Sequence, residues 1–266
     1  KQNLAMTQEV GSSHWWLRDR QSVPCAIIVD AINQPSLIAP EERLKVATRR
    51  LVFRVAEGKT AVVVKAFPLQ GWRRWTARQA YAKQECQHLL TAELLGMSVP
   101  ACLAYGERPF WGGLAWNTAV LEHIPSPTLR DIWIADSHTI DADAALERIT
   151  PLAVQLYETG CNHIDFGPHA IMQRDAGEDC IIDWQYASFL DKPNPYVFAS
   201  QIGYFGWATA TNRTWLTTER VSQWFDHLWD SQQFPERIAC RAIFEKTLAK
   251  RHSIKDRLNA ASTFAP

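Results

Sequence analysis

The chain has 266 residues with 28 basic and 28 acidic side chains, a formal net charge of zero. Generic nucleic-acid binders carry a basic excess, so the balance argues against that class and leaves any anionic partner to meet a local patch. The length is enough to bury a large core and suits one compact enzyme of two lobes better than two independent domains.

Six cysteines, Cys25, Cys86, Cys102, Cys161, Cys180 and Cys240, form neither a C-x-x-C pair nor a His-spaced cluster. Zinc and a disulfide framework are therefore not suggested, and a reducing compartment is the simplest inference. No apolar run approaches the roughly 18 residues that span a bilayer, and residues 1 to 20 lack the apolar core of a signal peptide.

In chain order, RRLVFRV (49–55), the polar turn AEGK (56–59) and TAVVVKAF (60–67) predict a β-hairpin rich in branched residues. Its VVVK resembles the V-A-I-K strand whose Lys grips nucleotide phosphates, which makes Lys65 a candidate phosphate contact. A Gly-rich phosphate loop should precede this hairpin, but residues 30 to 48 contain no Gly, so phosphate cover relies on ordinary backbone. Residues 74 to 95 predict one helix closed by Gly96. Tyr81, Leu89, Ala92 and Leu95 share one face of it, and Glu85 falls within that stripe. A buried acid needs a partner; Lys65 is the expected one, with Glu93 as the competing acid.

Segments 99–109 and 117–125 predict strands around a Gly-rich turn, the second leading into a hinge where backbone near Glu122, His123 and Ile124 would meet adenine. Leu146, Ile149, Ala153, Leu156 and Tyr157 form a helical stripe ending at Gly160, with Pro151 either kinking or restarting the helix.

Directly afterwards come NHIDFGPHAIM (162–172) and CIIDW (180–184), the most informative segments of the chain. Kinases use H-R-D-L-x-x-x-N, in which the Asp takes the acceptor hydroxyl's proton, followed by a second Asp on Mg²⁺. His163, Asp165 and Asp183 fill those places, with QRDAGED (173–179) as the intervening turn. The Asn expected as second metal ligand is replaced by Ala170, beside His169. Either one Mg²⁺ on Asp183 suffices, or His169 turns into the gap, or catalysis has been lost; imidazole is a poor Mg²⁺ ligand. Beyond, QWFDHLW (223–229) and a basic amphipathic stretch from about 237 to 257 predict helices. The division expected is 1–122, a β-rich lobe with one long helix, and 123–266, a mainly helical lobe carrying the catalytic loop.

The ordered set RRLVFRV, VVVKAF, GW (71–72), AKQECQHLL, LGMSVPACLAYGER, ETGCNHIDF and IIDW resembles the lipopolysaccharide core heptose kinases and the related Kdo kinases, from about residue 45 to 205. LAYGER with GCNHIDF favours this family over aminoglycoside or choline kinases, and the missing D-F-G and A-P-E argue against a regulatory protein kinase. The resemblance implies an α+β, bilobal protein-kinase-like fold and ATP- and Mg²⁺-dependent phosphorylation of an inner-core sugar. It places that reaction at the cytoplasmic face of the inner membrane of a Gram-negative bacterium. It implies Lys65 as phosphate contact, Glu85 as its partner, Asp165 as general base, Asp183 as metal ligand, and His163 as a brace of the catalytic loop. Arg73, Arg74 and Arg78, with HWW (14–16) and GWRRW (71–75), are candidates to meet a membrane-held, anionic acceptor. Two alternatives remain open: a non-catalytic scaffold in core assembly, and a kinase acting on a soluble small molecule.

Overall fold

The computed structural model describes residues 6–19, 23–47, 49–57, 60–76, 81–136, 139–174, 177–210 and 215–260. The chain forms two compact units, Lys1–Ile124 and Pro125–Pro266.

In the first unit, an antiparallel sheet comprises β1 (Met6–Val10), β2 (Ser13–Leu17), β3 (Arg43–Ala47), β4 (Arg50–Glu57), β5 (Thr60–Pro68), β6 (Cys102–Phe110) and β7 (Gly113–Glu122). The seven strands are ordered β1-β2-β6-β7-β5-β4-β3. The hairpin expected at 49–67 is β4 and β5, in the register Leu51 to Ala66. Successive strand residues point to opposite faces, and β5 uses this to divide its chemistry. Val62, Val64 and Ala66 join one core cluster with Cys25, Ile28, Ala31 and Ile32 of helix α1 (Cys25–Asn33), each large side chain contributing roughly 1.5–3 kcal/mol of burial. The alternate positions Val63, Lys65 and Phe67 face the other way.

The helix expected over 74–95 divides into α2 (Arg73–Thr76) and α3 (Tyr81–Leu94), with 77–80 outside the described residues. The buried stripe of α3 is Ala82, Glu85, Cys86, Leu89 and Ala92. Tyr81 and Leu95, assigned to that stripe on periodicity, are exposed at 36% and 45%. Leu95 falls one residue beyond the end of α3, and Tyr81, at its start, is half-exposed while its ring still meets Phe67 of β5, 5.7 Å between centres.

The HWW segment is a further correction. It forms β2, with Trp15 completely buried and Trp16 against Tyr105 at 5.2 Å between ring centres. These rings build the sheet and do not present an acceptor surface. Trp15 lies opposite Gly106 of β6, and a Cβ on Gly106 would meet its ring at 2.7 Å.

The second unit is built around α4 (Leu129–Ala135), α5 (Ala142–Glu158), α6 (Pro195–Ala210), α7 (Thr218–Gln232), α8 (Arg237–Ala249) and α9 (Ile254–Leu258). Short strands β8 (Cys161–His163), β9 (Ile171–Gln173), β10 (Asp179–Ile181) and β11 (Ala187–Phe189) pair as β8 with β11 and β9 with β10, both antiparallel. Pro151 sits inside a single helix, α5, which buries Leu146, Ile149, Ala153 and Leu156. The amphipathic stretch from 237 to 257 is two helices, because Ser253 and Asp256 form a capping box that starts α9. Helix α6 meets α8 closely at Gly203, where a Cβ would lie 2.7 Å from the Phe244 carbonyl.

Gly106→Ala should force the Trp15 ring from its place. Overpacking of this kind is expected to lower unfolding free energy by about 1–3 kcal/mol, measured by urea titration; an unchanged midpoint would show that the ring has room to move.

Candidate active site

Strand parity and helix periodicity together bring Lys65 to Glu85. The Lys65 Nζ donates to Glu85 Oε1 at 2.5 Å, with the two residues 6% and 1% exposed. Asn117 of β7, completely buried, accepts the Ala82 N–H through Oδ1 at 3.0 Å. That bond satisfies an otherwise open donor in the first turn of α3 and sets the height of Glu85 one turn later. Removing one member of a buried pair strands the other charge and typically costs about 3–5 kcal/mol. The competing acid, Glu93, is taken by Arg18 through bonds of 2.8 and 3.1 Å.

At the end of β7, the Glu122 N–H donates to the Ala101 carbonyl at 2.9 Å, and the Glu122 carboxylate accepts the Ala101 N–H at 2.9 Å. Both groups are therefore engaged within this unit. The strand ends there, and His123 and Ile124 follow outside it.

The second unit gathers Asp165, Asp183, His163 and His169. The loop carrying Asp165 leaves β8 and is held from several sides. Gln201 of α6 donates from Nε2 to the Cys161 carbonyl at 3.1 Å, and Phe166 packs on Phe205 at 5.4 Å between ring centres. Arg257 of α9 donates from Nη1 to Asp165 Oδ1 at 2.9 Å and also to the Ile164 carbonyl. Its guanidinium lies over the Tyr204 ring, 4.1 Å from the centre, and Asn162 Nδ2 returns a bond to the Arg257 carbonyl at 3.1 Å.

His163 is 1% exposed and its Nε2 lies 3.1 Å from the Ile182 carbonyl; the Nε2–H tautomer donates that bond. Its ring also meets Trp184 edge-on, 4.9 Å between centres. Burial pushes its pKa down to about 4, against the opposing pull of Asp165 and Asp183. It is thus a neutral tie between the Asp165 loop and the residue before Asp183. Asp183 itself has φ 63 and ψ 54, a left-handed conformation that Asp tolerates better than most residues. Local strain of this type, of order 1–3 kcal/mol, concentrates at functional positions.

A Mg²⁺ ion prefers hard oxygen donors and takes one or two carboxylates together with substrate phosphates. Asp183 supplies such a carboxylate. Ala170 is completely buried and has no donor atom. His169 folds back on the loop, its ring Cε1 2.9 Å from where a Cβ on Gly167 would stand. Its pKa is lowered, by burial first, and Arg130 and Arg257 push it the same way. Among the described residues, no three His, Cys, Asp or Glu side chains converge as a metal centre. Asp183 would be the residue to hold such an ion, and Ala170 would add no side-chain donor to it.

Of the candidate acceptor arginines, Arg78 lies outside the described residues. Arg74 is engaged within the first unit: its Nε donates to the Leu69 carbonyl at 3.0 Å and its guanidinium covers Phe110 at 4.1 Å. Arg73 lines an open cavity. Sequence reasoning missed Arg257, Asn117 and Gln201. Arg257 contacts a residue 92 positions away, so nothing in its local pattern points to Asp165.

A β-rich unit bearing the Lys–Glu pair and a helical unit bearing the two aspartates define the protein-kinase-like fold. No protein-family model matches the sequence, and no match emerges among curated proteins. Among solved structures the chain is similar to WaaP in complex with acyl carrier protein, with TM-score 0.58 and 15% identity over 78% of this chain and 87% of that one. It also aligns with WbdD, solved with a kinase inhibitor, at TM-score 0.47 and 19% identity over 80% of this chain and 46% of that one. At such identity the WaaP likeness shows the fold.

Arg257→Ala should loosen the Asp165 loop. Hydrogen bonds to charged groups contribute about 1.5–3 kcal/mol, so the variant should lose that much stability and show faster amide exchange at residues 161–166. Exchange unchanged from wild type would remove the bracing role.

His163 gives a second test. Its folded pKa of about 4 lies below the ordinary 6.5, so the unfolded chain takes up the proton first on acidification. Stability from this group is complete above 6.5 and falls as pH drops toward 4, by up to about 1.4 kcal/mol per pH unit. Urea titrations across that window should show the slope in wild type and a shallower one in His163→Gln.

Proposed function

We propose that this protein is an ATP-dependent phosphotransferase acting on a heptose or Kdo hydroxyl of the lipopolysaccharide inner core. The observation that carries the reading is the buried Lys65 to Glu85 bond of 2.5 Å. A lysine held by an acid within a sheet, aligned by a capped helix, is the device with which kinases fix the nucleotide phosphates. The motif resemblance supports the lipopolysaccharide assignment, and the WaaP likeness supports the kinase-like fold that it requires.

In this reading, backbone at Glu122 to Ile124 meets the adenine with groups other than the Glu122 N–H, which is already bonded to Ala101, and Lys65 meets the phosphates. Asp165 orients the acceptor hydroxyl and takes its proton as the new P–O bond forms and the bond from the γ-phosphorus to the departing ADP oxygen breaks. Arg257 keeps one carboxylate oxygen of Asp165 in place, leaving the other to face the acceptor. His163 transfers no proton and fixes the loop. Mg²⁺ on Asp183 would neutralise charge on the phosphates. Positioning and fixed charge supply most of the acceleration in phosphoryl transfer.

Trp72, Trp75 and Trp111 are 68%, 54% and 88% exposed, and Trp75 Nε1 donates to the Trp111 carbonyl at 2.9 Å. Aromatic side chains beside arginine suit the headgroup region of a bilayer, which supports peripheral contact at the inner face of the inner membrane. Among the described residues, no helix is long and apolar enough to cross a membrane. The absent donor at Ala170 favours a second reading, a scaffold in core assembly that no longer transfers phosphate.

Titration calorimetry with ATP and Mg²⁺ tests the proposal. Wild type should bind, Lys65→Ala should lose about 1.5–3 kcal/mol, roughly ten- to a hundred-fold in affinity, and Asp183→Asn should lose the metal dependence. Absence of nucleotide binding under every metal condition would leave only the scaffold.

A further inference from the structure

We infer that the open cavity of about 640 Å³ at the end of β5 is a recognition subsite for an anionic saccharide, with Arg49 and Arg73 as its anion-binding pair. This deepens the proposed kinase reading and rests on it for the word acceptor; the binding chemistry stands independently.

The cavity is lined by Arg49, Phe67, Gln70, Trp72, Arg73 and Tyr81, among others, and its volume lies in the range of roughly 300–1,000 Å³ usual for small-molecule sites. Arg49 occupies the turn between β3 and β4, and Arg73 opens α2. Among the described residues neither guanidinium has a carboxylate partner, whereas Arg54 is held by Glu42 and Arg43 and Arg74 by backbone carbonyls. Two rigid donor forks on one concavity match a phosphate or carboxylate. Arg73 rests over Trp72 at 5.9 Å, and Phe67 meets Tyr81 at 5.7 Å between ring centres. This aromatic wall offers apolar faces to the C–H side of a sugar ring while the arginines take its charge.

Position along β5 separates this site from the nucleotide. Val62 is in register with Glu122, and Pro68 with Trp116 at the other end of the pairing. Lys65 falls between them, and Phe67 follows it on the same strand face, about 7 Å further on at 3.3–3.4 Å per residue. A nucleotide with adenine at the Glu122 end and phosphates at Lys65 points its terminal phosphate toward the cavity. An in-line acceptor must stand on that side.

The test is saturation-transfer NMR on the full chain with glucose 6-phosphate, glucuronate, glucose and inorganic phosphate, in wild type, Arg49→Gln and Arg73→Gln, each checked for an unchanged melting temperature. Both or either anionic sugar should bind, which distinguishes phosphate from carboxylate as the preferred charge. Glucose should not bind at the same concentration, and each variant should weaken binding at least tenfold, with Arg49→Lys intermediate. A non-hydrolysable ATP analogue with Mg²⁺ should leave the sugar bound. Equal binding of glucose, equal binding of inorganic phosphate alone, indifference to both variants, or displacement by the ATP analogue would each overturn the subsite. Nucleotide binding without sugar binding would sink this inference alone; sugar binding without nucleotide binding would sink the kinase reading and leave the subsite standing.

Discussion

The buried ion pair between Lys65 and Glu85 is the constraint on which the first unit depends. An ammonium and a carboxylate, 6% and 1% exposed, remain charged inside a protein only when each answers the other. Their meeting requires β5 to keep its parity, with Val62, Val64 and Ala66 on the opposite face, and α3 to keep its height, which Asn117 sets. Hydrophobic burial on one face of a strand thereby positions a charge on the other. Truncating Ile28 or Phe53 would disturb Lys65 without touching it.

The second unit applies a different principle to its acid. Asp165 is partly exposed on a loop, and its geometry comes from neighbours distant in sequence: Gln201 of α6, Arg257 of α9 and the His163 tie to Ile182. The short helix α9 therefore has a role beyond covering the core, since its capping box places Arg257 against the loop. Burial holds the His163 pKa down to about 4, so the ring stays neutral and its surroundings do not change charge across physiological pH. The same neighbourhood holds the departure from the kinase pattern, where Ala170 brings a methyl group and Gly167 leaves space for the His169 ring.

Much of this was legible in the sequence where the determining pattern is local. The β4–β5 hairpin followed from branched residues around a polar turn, and Glu85 followed from an acid lying in an apolar stripe. What escaped depends on tertiary contact. Trp15 and Trp16 read as surface aromatics until β2 paired with β6 and set Trp15 over Gly106. The arginines at 73 and 74 are chemically identical and adjacent, yet one is tied to Leu69 and Phe110 and the other lines a cavity. No sequence pattern separates them, and none links Arg257 to Asp165.

The central claim, that Lys65, Asp165 and Asp183 serve phosphoryl transfer to a core sugar, is tested most directly by one measurement. Purified wild-type protein and Asp165→Ala would be incubated with γ-labelled ATP, Mg²⁺ and lipopolysaccharide from a strain lacking the gene, and label in the glycolipid followed over time. The account predicts incorporation by wild type and none by Asp165→Ala, with both binding nucleotide. Undiminished incorporation by Asp165→Ala, or none by a nucleotide-binding wild type, would contradict it.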